Sequence, residues 1–378
     1  MSAGKIVLPP AMLGMLGGGQ LARFFVIAAH EMGYRVMVLD PDENSPAGLL
    51  AETHLCAAYD DHVALARMAQ ECAAVTTEFE NVPASTLGAL AKSVPVHPAA
   101  ATVAICQHRV SEKNFLRDHG FPHAPYAEIN AESDLPANGL YPGILKVARF
   151  GYDGKGQVRV HSRDEALAAF RNFKSEQCVL EKMLTLDYEV SVVLARNAAG
   201  HVVPFPVAEN IHRNGILDIS IVPARGSTEV REQAQTLAHG VAEKLDYVGT
   251  LGVEFFVCGG QLYVNEMAPR PHNSGHYTID ACVTNQFEQQ IRALCGLPLG
   301  DARLHSPAVM VNLLGDIWRD GEPEWSTLFA QRDLKLHLYG KHEARPGRKM
   351  GHFTVIGDNA DEVLQSAMAA RQRIKVEG

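Results

Sequence analysis

Short apolar runs and amphipathic stretches alternate along the first quarter of the chain. Met12–Leu16, Arg35–Leu39, 75–77 and 94–96 read as strands. Residues 21–31, His62–Glu71 and 84–91 read as helices between them. Strand–helix alternation of this kind predicts a parallel sheet with crossover helices. Residues 99–118 read mostly as helix, and the two prolines of 121–125 mark a linker. Beyond it the pattern changes to α+β. Strands are expected at 144–147, 158–160, Cys178–Lys182 and 190–195, then a helix at 229–245. A hairpin follows, 252–257 with 261–266, turned at Gly259-Gly260. Later apolar runs fall at 309–314, 335–339 and 353–356. A last helix, 360–374, has Asp358 or Asn359 as its cap.

The expected division is an N-terminal α/β domain (1–104), a small subdomain (105–185), a core (186–300) and a β-rich C-terminal region with the final helix (301–378). At 378 residues, 47% hydrophobic and 20% charged, the chain has the composition of a soluble globular protein with real cores. The net charge of −9 argues against nucleic acid or an anionic membrane as the main partner. No apolar run approaches the about 18–20 residues of a membrane span. The opening MSAGKIVLPPAML, with one lysine and two prolines, makes a poor signal peptide. Seven scattered cysteines without C-x-x-C point to reduced thiols in a cytoplasmic protein.

Four stretches carry candidate chemistry. In ILKVARFGYDGKGQV, Lys146 sits inside an apolar strand, where an ammonium needs an anionic partner. The plain reading is that Lys146 snorkels to the edge or pairs with a carboxylate of the fold; the sharper one is that it meets a ligand phosphate. Gly151, Gly154 and Gly156 around Tyr152, Asp153 and Lys155 favour the phosphate, because their N–H groups can close over it. In GVEFFVCGGQLYVNEMAPRPHNSGH, Glu254 lies on one hairpin strand and Asn265 and Glu266 on the other. A plain two-residue turn sets Asn265 opposite Glu254. A longer turn or a bulge sets Glu266 there. Close carboxylates repel unless a cation lies between them, and oxygen-only ligands suit Mg²⁺. The plainer reading is a solvated strand end. Arg270 falls just past these carboxylates, placed to face a substrate anion. In ARPGRKMGH, Arg345, Arg348 and Lys349 among glycines read as an anion clamp or as an exposed basic turn. In TTEFENV, Glu78 and Glu80 share a face at a strand's carboxyl end, and Glu80 is a candidate hydroxyl or amine acceptor. The pairs His272/His276 and His119/His123 lack a third ligand for zinc.

One match misleads. LGGGQLA, Gly17 to Ala22, fits G-x-G-x-x-A, with Asp40 about 20 residues on, the pattern of an NAD-binding turn. A nicotinamide oxidoreductase would leave Lys146, the glycine loop and the carboxylate hairpin without a role.

Taken together, GGGQL, TxEFENV, GYDGKGQ, NEMAPRPHNSGH and RPGRKMGH, in this order and across essentially the whole chain, resemble the ATP-grasp enzymes of purine biosynthesis. The chain departs from the family's GGGQLGRM at Ala22 and Phe24. The resemblance implies an ATP-grasp fold with an N-terminal parallel-sheet domain. It implies ATP- and bicarbonate-dependent carboxylation of the exocyclic amine of aminoimidazole ribonucleotide, with carboxyphosphate on the path, in a homodimer. Its residues carry over one by one. Gly19, Gln20 and Leu21 lie near the ribonucleotide phosphate, and Asp40 is left to pair locally. Lys146, Arg109 and the loop from Gly151 through Gly156 to Gln157 meet ATP, the loop as a lid. Glu181, Lys182, Met183 and Leu184 border adenine, Glu189 takes the ribose hydroxyls, and His212 adds a nucleotide contact. Glu254 and Glu266 hold Mg²⁺, with Asn265 beside them. Tyr152, Asp153, Arg270, His272 and Lys349 surround the reacting centre, while Arg345 and Arg348 add charge for the ribonucleotide phosphate. A sister ligase using formate or another carboxylate is the nearest rival. RPHNSGH and RPGRKMGH favour the bicarbonate enzyme. A non-catalytic nucleotide-binding module would leave the metal-type carboxylates and the basic loop idle.

Overall fold

A computed structural model describes residues 6–149 and 156–374. The first sheet is parallel, in the order Thr53–Leu55, Arg35–Leu39, Met12–Leu16, Ala74–Thr77. Chain order reverses at Met12–Leu16. The carboxyl ends of that strand and of Ala74–Thr77 therefore open a crevice, the usual ligand position in such sheets. Helix Gln20–Glu31 buries Leu21, Ala22, Phe24, Phe25 and Val26 there. The strand expected at 94–96 is reduced to one parallel bridge, Val75 to Val96. Pro95 and Pro98 supply no N–H, so the ladder has too few donors to continue. Thr53–Leu55 was not expected, because THL is half-buried and has no apolar run.

The second sheet is antiparallel, in the order Tyr126–Ile129, Cys178–Lys182, Gly143–Val147, Gln157–Val160. Helix Arg163–Asn172, capped by the Ser162 hydroxyl, packs Ala166, Ala169 and Phe170 on it. The third sheet has nine strands and is antiparallel throughout its main path. Helix Thr228–Lys244 covers one face with Val230, Ala234, Ala238, Val241 and Ala242. The C-terminal strands Ala308–Leu314, Lys349–Ile356 and Leu334–Leu338 continue this sheet through Ile216–Val222. The core therefore runs without a break across residue 300. Helix Gln286–Leu294 packs Phe287, Ile291 and Leu294 against the first helix and ties the N-terminal domain to that core.

The final helix, Ala360–Arg373, is capped by Asn359, which accepts from Asp361 and Glu362 N–H. At the departure Phe24, the ring sits among His276, Phe287, His337, Tyr339 and His352. It fills a core that joins the N-terminal helix to the C-terminal strands.

Candidate active site

The hairpin answers the register question with both devices together. Gly259 and Gly260 have φ of +58° and +75°, the left-handed pair of a two-residue turn. Cys258 faces Gln261, and the pairing runs regularly to Phe255 opposite Val264. A bulge then passes over Asn265 and sets Glu266 opposite Glu254. Burial pushes the Glu254 carboxyl up, and the charges of Glu266 and Glu189 add to it, while His212 opposes. Paired carboxylates held this way fit a divalent cation by donor chemistry and by charge. Asn265 Nδ2 lies 3.4 Å from Glu254 Oε2.

The bulge leaves the Asn265 carbonyl outside the ladder, and Lys113 Nζ donates to it at 3.1 Å. The same ammonium lies 3.1 Å from Glu181 Oε2, and Lys146 Nζ lies 2.9 Å from Glu181 Oε1. All three side chains are buried. Lys146 thus has the carboxylate partner that one of its two sequence readings supplied. Burial lowers its pKa, and Glu181 only partly restores it. Burial raises the Glu181 carboxyl, but the two lysines overcome this and bring it to about 2. Two cations on one anion leave net positive charge at the edge of the cleft, suited to a polyphosphate.

The glycine turn is closed by carboxylates of the fold. Gly18 N–H donates to Asp40 Oδ2 at 2.7 Å, and Tyr59 O–H joins the same oxygen at 2.8 Å. Asp40, which a dinucleotide fold would turn toward a ribose, instead braces the turn. Gly19 N–H donates to Glu78 Oε2, and a side chain at Gly19 would collide with that carboxylate. Burial raises Glu78 to about 7, against the pull of Gly19 N–H and Lys341. Glu80 pairs with Arg270, Nε to Oε2 at 2.8 Å, across the two domains.

Arg109 NH1 stands 3.9 Å from Glu266 Oε2. Burial opposes its charge, but Glu266, Glu112, Glu181 and Glu80 together raise its pKa. A small cleft lies here, walled in part by Glu80, Gln107, Arg109, Glu112 and Glu266. A second bulge, at Ile211/His212, accompanies the pairing of His212 Nδ1 with Glu189 Oε2 at 3.0 Å. Burial works against the charged ring, but the Glu189 bond and the Glu254 charge outweigh it and raise its pKa. His272 is the reverse case. Burial, Arg270 and Lys349 hold it well below the usual range. Lys349 acts electrostatically on Glu254, His212 and His272 together.

Other expected residues lie further out or are already engaged. Lys182 and Met183 donate their N–H groups to Pro125 and Pro142 carbonyls, and Leu184 follows in the same connecting stretch. Arg345 is exposed and pairs with Glu343, while Arg348 donates to the Glu343 carbonyl. Gln157 opens its strand, paired with Lys146, and Gly156 has φ of +68°. Gly151, Tyr152, Asp153, Gly154 and Lys155 lie outside the described residues. Among the described residues one other group of metal-type ligands gathers, Asp280, His337 and His352. The fold already engages these groups: His337 Nε2 lies 2.8 Å from Asp280 Oδ2, and His352 Nδ1 lies 3.0 Å from the Tyr339 hydroxyl.

The sequence reading missed Lys113, Glu112, Lys341 and Gln286. Lys113 and Glu112 sit four and three residues after Arg109 on one helix, a spacing that places them on its face. Glu112 Oε1 accepts from Met267 N–H at 2.6 Å, beside Glu266. Burial and the Glu266 charge raise it to about 8. Lys341 donates to the Lys349 carbonyl at 2.7 Å. Gln286 had no motif to reveal it. Its amide clamps the His272 backbone, taking the N–H and giving to the C=O, both at 2.8 Å.

Parallel-sheet crevice, lysine-bearing antiparallel sheet and carboxylate hairpin together define an ATP-grasp enzyme, and three family models match the chain. The ribonucleotide synthetase pre-ATP-grasp domain matches residues 11–107, the ATP-grasp domain 114–287, and the phosphoribosylaminoimidazole carboxylase C-terminal domain 308–366. The N5-carboxyaminoimidazole ribonucleotide synthase of Brucella melitensis is 46% identical over 354 residues, 92% of this chain and 97% of that one. A solved N5-carboxyaminoimidazole ribonucleotide synthetase in complex with ADP has a TM-score of 0.90 at 42% identity, covering 97% of this chain and 98% of the other. The Aspergillus clavatus N5-carboxyaminoimidazole synthase, in complex with ADP and 5-aminoimidazole ribonucleotide, superposes with a TM-score of 0.86 at 31% identity, covering 96% and 99%. The chain belongs to the N5-carboxyaminoimidazole ribonucleotide synthase family.

Proposed function

We propose that the protein carboxylates 5-aminoimidazole ribonucleotide at its exocyclic amine, consuming ATP and bicarbonate, in purine biosynthesis. A bicarbonate oxygen attacks the γ-phosphorus of ATP, and ADP leaves. The amine nitrogen then bonds to the carboxyl carbon of carboxyphosphate, or of CO₂ released from it, phosphate leaves, and the amine gives up a proton. The observation that carries this reading is the convergence of Glu254 and Glu266 beside the Lys146–Glu181–Lys113 triad. Phosphoryl transfer needs positioning and charge neutralisation, and this pairing offers both.

Glu254 and Glu266 would hold Mg²⁺, with Asn265 alongside. When bound, the ion would neutralise phosphate charge. Lys146 and Arg109 would meet the phosphates, and the loop from 151 to Gln157 would cover them and exclude water. Glu181 to Leu184 would border adenine, with Glu189 at the ribose and His212 next to it. Gly19, Gln20, Leu21 and Glu80 would receive the ribonucleotide. Arg348 and Lys349 would add charge there, with Arg345 at the margin. Arg270 and His272 would stand at the reacting anion, with Tyr152 and Asp153 contributed by the loop. Reduced thiols support a cytoplasmic location, all seven cysteines being free. The homodimer rests on the family resemblance. No helix among the described residues is long and apolar enough to cross a membrane.

The test is ADP release with and without each co-substrate. Release that requires both aminoimidazole ribonucleotide and bicarbonate is the expected result. Equal release with formate in place of bicarbonate would transfer the assignment to a sister ligase.

A further inference from the structure

Behind His272 a line of polar side chains crosses the interior of the nine-stranded sheet. Ser220 Oγ donates to Asn210 Oδ1 at 2.7 Å, and Asn210 Nδ2 donates to Ser191 Oγ at 2.8 Å. Ser191 Oγ lies 2.7 Å from Ser274 Oγ, which lies 2.8 Å from His272 Nδ1. Ser191, Asn210, Ser220 and Ser274 are all buried. They come from three adjacent strands and the short turn Asn273–Gly275. Four buried polar side chains in such a core need a reason, since each would be costly if any bond failed.

A hydroxyl has one proton to give. Ser191 accepts from an amide N–H, so its proton goes to Ser274. Ser274 therefore gives its own to His272 Nδ1. The backbone agrees with this direction, through a longer contact. Ser274 N–H, which can only donate, also points at His272 Nδ1, at 3.3 Å. Nδ1 is thus an acceptor from two sides, and the proton of the neutral ring belongs on Nε2. On that side Nε2 faces Glu254 Oε1 at 3.4 Å, an acceptor.

We infer that Ser220, Asn210, Ser191 and Ser274 form a one-way hydrogen-bond relay that locks His272 as its Nε2–H tautomer. His272 thereby serves as a hydrogen-bond donor toward the cleft and not as a base. The four relay residues are positioning residues. That the acceptor in the cleft is bicarbonate or carboxyphosphate rests on the proposed function. The tautomer itself does not.

The experiment reads the ring directly. The full-length protein, labelled with ¹⁵N in its histidine rings, is examined by long-range ¹H–¹⁵N correlation at neutral pH without nucleotide. His272 is assigned by the signal lost in His272→Gln. The expected pattern is an unprotonated Nδ1 and a protonated Nε2. A proton on Nδ1, or on both nitrogens, overturns the inference whatever the enzyme's activity. Asn210→Asp replaces the amide by a group that only accepts. It should reverse the relay and move His272 toward the Nδ1–H form. Ser191→Ala should give a tautomer mixture and lower kcat by roughly tenfold, with KM for ATP nearly unchanged. Ser191→Thr should restore both. A wild-type tautomer pattern in both Asn210→Asp and Ser191→Ala refutes the relay. Failure of ADP release to depend on bicarbonate, with the tautomer as expected, would count only against the substrate assignment.

Discussion

Lys113→Met replaces a buried ammonium by an uncharged side chain of similar reach. Glu181 keeps one lysine of its two, and the Asn265 carbonyl loses its donor. In the folded chain burial opposes the Glu181 charge, yet the lysines bring its pKa from 4.5 to about 2. At about 1.4 kcal/mol per pH unit, that displacement is worth about 3 kcal/mol to the folded state at neutral pH. Lys113 carries part of it, named ahead of Lys146, and the orphaned carbonyl adds about 1 kcal/mol. The expected loss is therefore about 2–3 kcal/mol, or a melting temperature lower by roughly 3–4 °C. The sign with pH follows from the depressed folded pKa. The contribution is complete above 4.5 and fades as pH falls toward 2. The gap between wild type and variant should accordingly be widest near pH 7 and narrow steadily below pH 4.5. Unfolding by urea, followed by circular dichroism from pH 7 to pH 3.5, measures it. Lys113→Arg, which keeps the charge, should recover most of the loss. A Lys113→Met protein as stable as wild type at pH 7, or a gap indifferent to pH, would show that the triad does not carry this energy.

Glu266→Gln should leave the melting temperature near wild type and abolish Mg²⁺-dependent turnover; near-normal activity at ordinary Mg²⁺ would remove the metal assignment. Arg270→Lys keeps a cation for Glu80 but gives up the guanidinium fork, so turnover should fall by about 10² with nucleotide affinity little changed. If instead the variant loses activity only by unfolding, the residue is a domain tie and no more. Burial raises Glu78 from 4.5 to about 7, so wild type loses stability as pH climbs through that interval. Glu78→Gln keeps an acceptor for Gly19 N–H without the titration; its stability relative to wild type should rise between pH 5 and pH 8, and a pH-independent difference would contradict the burial argument.

Those residues were not equally legible in the sequence. Strands Met12–Leu16, Arg35–Leu39 and Cys178–Lys182 announced themselves, because each carries a cluster of apolar residues between turn signals. The strands Val202–Pro204, Ala208–Arg213 and Ile216–Val222 did not. Their interior carries Asn210, Asp218 and Ser220, and polar residues that are satisfied across a sheet erase the apolar signature. Glu254 and Glu266 were visible as a pair, whereas the register that makes them face each other depended on a bulge that no residue type dictates. Lys113 was invisible as chemistry. Its partners, Glu181 and Asn265, are distant in sequence, and only folding makes their meeting a fact.

The bulge joins these observations. Had the strands paired without it, Asn265 would face Glu254, and Glu266 would have passed to the other side of the sheet, as any one-residue slip requires. The carboxylate pair would be gone. The Asn265 carbonyl would be drawn back into the ladder, and Lys113 would lose the acceptor that binds it to this strand. Lys113 also grips Glu181 on the second sheet, and Glu181 in turn grips Lys146. One extra residue thus sets the two carboxylates face to face and fastens their strand to the lysine sheet. Under the proposed function, the distance between carboxylates and lysines is what a nucleotide with its cation would bridge. In this fold it is fixed by bonds within the protein.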